Sequence, residues 1–244
     1  MWITSSNSDH GASFYRIRKI KQQKYNDNIT SRKYELNTFW YICLMEKKTA
    51  KSDRTRERII ETSAAIFNMK GYAGTSMSDL TEATGLTKGS IYGNFTNKEE
   101  VALAVFDYNH KRVLQLVQAK AGRETSSYDQ LMAYVTAYDH YTRNGFPEGG
   151  CPILNTAVEA DDTNVLLKER AAKAVNKWKK TVQDLYTAGI DSGEFKKILD
   201  PAQFALSLIA LIEGGLMIAK VTNSQNNLDR VLKTARYLID QCKA

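Results

Sequence analysis

The chain has 244 residues, a net charge of +7, 43% hydrophobic residues and 25% charged ones, which are ordinary proportions for one or two globular domains with an ample core. Three Cys, at 43, 151 and 242, are too few and too scattered for a disulfide framework or a zinc site, and the three His have no second ligand at metal spacing, so reduced thiols in a cytosolic protein without metal or cofactor are expected. No apolar stretch has the form of a signal-peptide core or a bilayer span, which argues against secretion and against a membrane partner.

Residues 1–44 differ in character from the rest of the chain. They mix Trp2, Phe14, Tyr15, Tyr25, Tyr34, Phe39, Trp40 and Tyr41 with basic and polar residues and hold no lasting periodicity. Arg16, Arg18, Lys19, Lys21, Lys24, Arg32 and Lys33 outnumber Asp9, Asp27 and Glu35 there, so more than half of the net charge sits in this segment. Overall charge is therefore weak support for nucleic-acid binding. The segment reads as an upstream extension, non-native or disordered, with Met45 as the natural start; a DNA-contacting arm is the functional alternative. The cluster Lys47, Lys48, Lys51, Arg54, Arg56 and Arg58 says more, because it precedes the first helix and is placed to follow a phosphate backbone. A solvated helix start is the alternative for each of these residues.

A first helix over about Thr55–Lys70 has Ile59, Ile60, Ser63, Ile66 and Phe67 on one face, and Gly71 ends it. Ser76 with Asp79 three residues on is a capping-box pattern, opening a short helix that carries Met77, Leu80 and Ala83 and stops at Gly85. Thr87 caps a second short helix of Lys88, Gly89, Ser90, Ile91 and Tyr92. Two helices joined by a Gly-containing turn form the helix-turn-helix unit, whose second helix enters the major groove. With Ile91 and Phe95 turned inward, Lys88, Gly89, Ser90 and Tyr92 are left outward, a small, hydroxylic, singly cationic surface suited to phosphates and thymine methyl groups. Asn97, supported by Glu100, caps a long helix with Lys98 at its start, running to Ala121 before Gly122.

The run from Thr55 to Val105 resembles the DNA-binding domain of the TetR/AcrR family of bacterial transcriptional regulators. It has the Phe-x-x-x-Gly-Tyr, Thr-Ser-Met and Gly-Ser-Ile-Tyr-x-x-Phe-x-x-Lys elements in order, over about fifty residues. Gly93 stands where family members commonly carry a bulky aromatic or His, which leaves the end of the recognition helix with fewer contacts. The resemblance implies an all-α chain: a three-helix helix-turn-helix domain over 45–97, then a larger helical effector-binding and dimerisation domain over 98–244. It implies DNA contacts from Arg54, Ser76, Thr87, Lys88, Gly89, Ser90, Tyr92 and Lys98.

The second part continues in helices. Ser126 with Asp129 opens one expected to reach Asn144, before the break Asn-Gly-Phe-Pro-Glu-Gly-Gly; Pro152 starts a short one. A long helix from about Thr163 to Ser192 is striped by Leu167, Ala171, Ala174, Trp178, Val182 and Leu185. Asp200-Pro201 opens the helix Phe204–Lys220, and Asn226 with Asp229 opens the last one. Phe204–Ala219 is apolar on nearly every side, yet shorter than the ~20 residues of a bilayer span and interrupted by Glu213, so it must be covered on both faces by protein. A second subunit is the expected cover. As in the family's four-helix interface, Leu206, Ala210, Glu213 and Gly214 would meet Leu228, Leu232, Ala235 and Leu238 across a two-fold axis.

Tyr134, Tyr138, Tyr141, Phe146, Trp178 and Tyr186 fall on helices expected to enclose a common space. Gly149–Asp162 is similar to a Gly-Cys-Pro-x-x-Asn-x-x-x-Glu element found in a subset of TetR-type regulators at the start of a pocket-lining helix. Cys151, Asn155 and Glu159 lie four apart on one face, and such polar groups need a partner, either a ligand or a neighbouring helix end. The expected ligand set is Tyr108, Tyr138, Tyr141, Phe146, Cys151, Asn155, Trp178 and Met217. The whole reads as a homodimeric repressor that binds double-stranded operator DNA and is released by a small, mostly apolar effector. A DNA-organising protein of the same fold without an effector pocket is the alternative. An enzyme would need a nucleophile–base pair or clustered carboxylates, which His110 and His140 do not supply.

Overall fold

Helix starts follow the capping chemistry closely. The computed structural model of the chain describes residues 52–139 and 145–244, and among them every regular element is helical. The first helix, α1, is already helical at 52 and ends at 70. The others are α2 Met77–Thr84, α3 Lys88–Tyr92, α4 Lys98–Ala121, α5 Ser127–Thr136, α6 Pro152–Ala160, α7 Val165–Asp191, α8 Pro201–Thr222 and α9 Gln225–Cys242. Ser76, Thr87, Asn97, Ser126, Asn164 and Asp200 each accept a backbone N–H at an N-terminus, as their positions in the sequence require. Gly85 ends α2 at φ 64°, a left-handed conformation open to a residue without Cβ.

Three boundaries differ from the sequence reading. α5 stops at Thr136, eight residues early, because Ala137–Asp139 tighten into a turn that swings Tyr138 into the core, where it is 2% exposed. α9 begins at Gln225, after a Ser224 that makes no side-chain cap bond. α8 is 22 residues long and, by length and composition alone, could cross a membrane, so shortness is no argument against that. What argues against it is packing: α8 lies against α7 and α9 and buries Phe204, Leu208, Ile209, Ile212 and Leu216 between them.

Residues Thr55–Ala244 form one compact unit with two apolar centres. The smaller joins Ile59, Phe67, Leu80, Ile91 and Phe95 to Val101, Ala102 and Val105 of α4, with Ala160 and Leu167 reaching in from α6 and α7. The larger holds Phe106, Val113 and Val117 of α4 together with α5–α9, and Tyr186 stacks on Phe204 at 4.1 Å. α4 is thus common to both centres. Each fully buried Leu, Ile or Phe contributes about 1.5–3 kcal/mol by leaving water.

Candidate nucleic-acid interface and effector cavity

The recognition helix is short and is held from beneath. Ile91 is fully buried and Phe95 nearly so, and the Arg56 guanidinium lies 3.9 Å over the Phe95 ring while bonding Asn94 O and Glu100. Arg58 donates to Thr84 O, pinning the turn between α2 and α3 from α1. These two arginines, read in the sequence as part of a phosphate-following cluster, therefore have structural partners. Lys47, Lys48 and Lys51 lie outside the described residues, and Arg54 is exposed.

On the outer face Lys88 and Gly89 are exposed, Ser90 is half-buried and Tyr92 is 41% exposed. Lys88 Nζ is 5.9 Å from the Tyr92 ring centre. A Cβ added at Gly89 would meet nothing nearer than Thr87 Oγ1 at 4.0 Å, so packing within the chain leaves that position free. At Gly93, too, an added Cβ would stay at 3.4 Å or more from its neighbours, and the bare helix end is no demand of the fold.

Three of the expected DNA contacts have other work inside the protein. Ser76 Oγ accepts from Asp79 N and donates to Asp79 Oδ2, completing the capping box, so its proton is committed. Lys70 and then Ser76 hold the Asp79 carboxyl well below the usual carboxylate range. Thr87 Oγ1 accepts from Ser90 N, which leaves its proton available. Lys98 Nζ donates to Tyr72 O at 2.8 Å and Thr75 O at 2.9 Å and lies 4.2 Å over the Tyr72 ring, so it fastens the α1–α2 turn to α4.

The cavity in the larger centre has a volume of about 40 Å³. From α4 it takes His110, Val113, Leu114 and Val117, from α7 Ala174, Lys177, Trp178 and Thr181, and from around them Tyr134, Tyr138, Cys151, Pro152 and Ile153. Tyr138 stacks on Trp178 at 5.7 Å and meets Phe146 edge-on at 5.7 Å. Of the eight residues expected to hold a ligand, Tyr138, Cys151 and Trp178 line it, Phe146 packs behind Tyr138, and Tyr141 lies outside the described residues. Tyr108 instead joins the smaller apolar centre, and Met217 is 48% exposed on the outer side of α8. His110, Lys177 and Thr181 were not anticipated. Both helices mark the lining at i, i+3, i+4, i+7 intervals, from His110 to Val117 and from Ala174 to Thr181, a signal the sequence does carry.

Asn155 does not line this cavity and is engaged within the chain. Its Nδ2 donates to Asn68 O and Gly149 O, and its Oδ1 accepts from Lys220 Nζ, so it joins α1, α6 and α8. Glu159 accepts from Tyr72 N at 2.9 Å and Ala73 N at 2.8 Å. Gly71, at φ 72°, is where that carboxylate comes closest: an added Cβ would lie 2.3 Å from Glu159 Oε2. Asn155 and Glu159 thus find partners at the end of α1 and the turn after it, with α8 supplying Lys220 to Asn155.

Cys151 Sγ–H donates to Glu213 Oε1 at 2.9 Å. Burial, and next the Glu213 carboxyl, push the thiol well above its ordinary value, so Cys151 is held as a packed, protonated group and not as a reactive thiolate. Burial raises Glu213 to about 7, and its Oε2 has no partner. The half-buried Glu213 thus turns its carboxyl inward, toward Cys151. Leu228, Leu232 and Ala235, also expected at an interface, are fully buried within the chain's own α8–α9 packing. Gly215, not Gly214, is the glycine that allows α9 close, since a Cβ there would sit 3.1 Å from Leu228. Leu206, Ala210 and Gly214 remain on the outer side, with Leu238 half-buried at its edge.

Known proteins share this architecture. Residues 59–105 match the family described as "Bacterial regulatory proteins, tetR family", and residues 127–235 match "Tetracyclin repressor-like, C-terminal domain". A TetR-family transcriptional regulator from Cytophaga hutchinsonii is 45% identical with a TM-score of 0.76, over 80% of this chain and 97% of that one. A TetR transcriptional regulator from Chloroflexus aurantiacus is 38% identical with a TM-score of 0.75, over 80% and 98%. The transcriptional repressor DhaR of Mycobacterium sp. (strain GP1) is 26% identical over 72% of this chain and 88% of its own length. The cap-built helix-turn-helix, the all-helical second half and these matches together place the chain in the TetR family of DNA-binding transcriptional regulators.

Proposed function

We propose that this regulator is a homodimeric repressor, acting in the cytoplasm, that binds a palindromic operator and lets go when a small, mostly apolar effector enters the cavity between α4 and α7. The carrying observation is the outer face of α3: Lys88, Gly89, Ser90 and Tyr92 face solvent over a buried Ile91, on a helix whose cap and underside are fully specified. Residues 45–97 form the DNA-binding part in this reading and 98–244 the effector and dimer part. On the outer side of α8 and α9 an open apolar cleft of about 510 Å³ is lined by Ser207, Ala210, Leu211, Thr234, Tyr237, Leu238 and Gln241. Exposed Leu206, Met217 and Val221 extend it along α8, and a second copy is the natural cover.

At about 40 Å³ the cavity is far below the ~300–1,000 Å³ of ligand pockets, so an effector enters only by parting its walls. Those walls include α4, which starts beneath the recognition helix, and α6, which holds the turn before α2. Moving such packed elements is how a bistable protein turns local binding into a change in DNA affinity. A DNA-organising role without an effector finds less support, because the second half encloses a cavity lined by Tyr134, Tyr138 and Trp178.

The test is operator affinity after selection of a binding site from random duplexes. Tyr92→Ala is expected to weaken binding by about 1–3 kcal/mol. Gly89→Ala adds a methyl group the fold tolerates, so it is expected to keep or raise thermal stability while weakening binding. Unchanged affinity in both variants would remove α3 from the interface.

A further inference from the structure

An open cleft of about 280 Å³ lies between α4 and α7, next to the cavity. The two share His110, Leu114, Ala174 and Lys177, so they meet at those side chains. Their chemistry differs sharply. The inner end is walled by aliphatic and aromatic groups, whereas the outer end carries Lys111, Lys173 and Lys177, all exposed. Arg170 and Asp107, also there, pair with each other at 2.5 Å. Among the described residues none of the three lysines forms an ion pair.

One group at the junction registers this surplus of positive charge. His110, partly buried, is pushed below its ordinary value by burial first and then by Lys177, with Asp107 acting weakly in the other direction. Among the described residues no carboxyl lines the cavity, and Glu213 lies behind Cys151.

We propose that the effector is an amphipathic anion, with an aliphatic or aromatic body seated between Val113, Ile153 and Trp178 and a carboxylate or similar head held at the outer cleft by Lys111, Lys173 and Lys177. The proposal rests on the effector-cavity reading above and adds the sign of the charge. Apolar contact sets the depth of seating, and three unpaired ammonium groups at the mouth favour an anion over its neutral or cationic counterpart.

Three probes of equal chain length separate the contributions: decanoate, decanol and decylammonium, titrated calorimetrically into the full chain. Decanoate is expected to bind at least about tenfold more tightly than either of the others, with the advantage shrinking as salt rises from about 0.1 to 0.5 M. The double variant Lys111→Gln/Lys173→Gln, at two side chains that line the outer cleft and not the inner cavity, is expected to lose most of that advantage and to bind decanol as before. Bound decanoate is also expected to raise the His110 pKa, read by NMR titration of the imidazole. Decanol binding as tightly as decanoate, or decylammonium binding best, would overturn the proposal and leave the effector cavity standing. Failure of all three to bind would overturn both.

Discussion

Glu213 turns one carboxyl oxygen to the Cys151 thiol and buries the other without a partner. Burial raises its pKa from an ordinary 4.5 to about 7. A pKa raised on folding means that the protonated carboxyl is favoured in the native state, so its contribution is fully present below about pH 4.5 and is lost as pH rises through about 7. The full change amounts to about 3 kcal/mol. Urea unfolding at pH 5 and pH 8 checks this: relative to Glu213→Gln, the natural chain is expected to lose up to about 3 kcal/mol between the two, and parallel pH profiles would contradict it. Local chemistry of this kind was legible only where it was local in sequence. The Ser76–Asp79 cap is three residues wide and is present as read, but a helix that is apolar all round gives no sign of which side meets its own core, and nothing in the sequence pairs Glu213 with Cys151, 62 positions away.

Helix α6 touches both ends of the proposed switch. Its first turn, Cys151 to Ile153, lines the cavity, while Glu159 in its last turn accepts the Tyr72 and Ala73 amides of the turn before α2. A second route between cavity and recognition helix therefore runs beside α4, over nine residues of helix. Glu159→Ala is expected to free those amides, speed hydrogen exchange over 72–80 and weaken operator binding by about 1–3 kcal/mol, with α9 protection unchanged. Unchanged exchange in that turn would show that the carboxylate does not hold it. The start of α6 was legible from Pro152, and its Cys-x-x-x-Asn-x-x-x-Glu stripe was too. The destination of that stripe was not, because Asn155 and Glu159 bond residues more than eighty positions away and periodicity carries no information on such pairings.

The all-helical plan and the helix-turn-helix followed from caps, glycines and apolar spacing, since each of these acts within a few residues. The division of α8 and α9 between core and outer surface did not. Leu228, Leu232 and Ala235 proved to be the chain's own core, whereas Leu206, Ala210, Gly214 and Leu238, read with them as one seam, keep some exposure on the outer side. The recognition helix α3 spans only five residues, and in the proposed function a palindrome is held when two copies present theirs about 34–36 Å apart. Sedimentation of the chain at micromolar concentration, alone and with a selected operator duplex, measures that arrangement. Two protomers are expected free and two on each duplex, and Ala210→Glu is expected to give monomers with little affinity for the operator. A natural chain that sediments as a monomer and binds the duplex singly with undiminished affinity would contradict it.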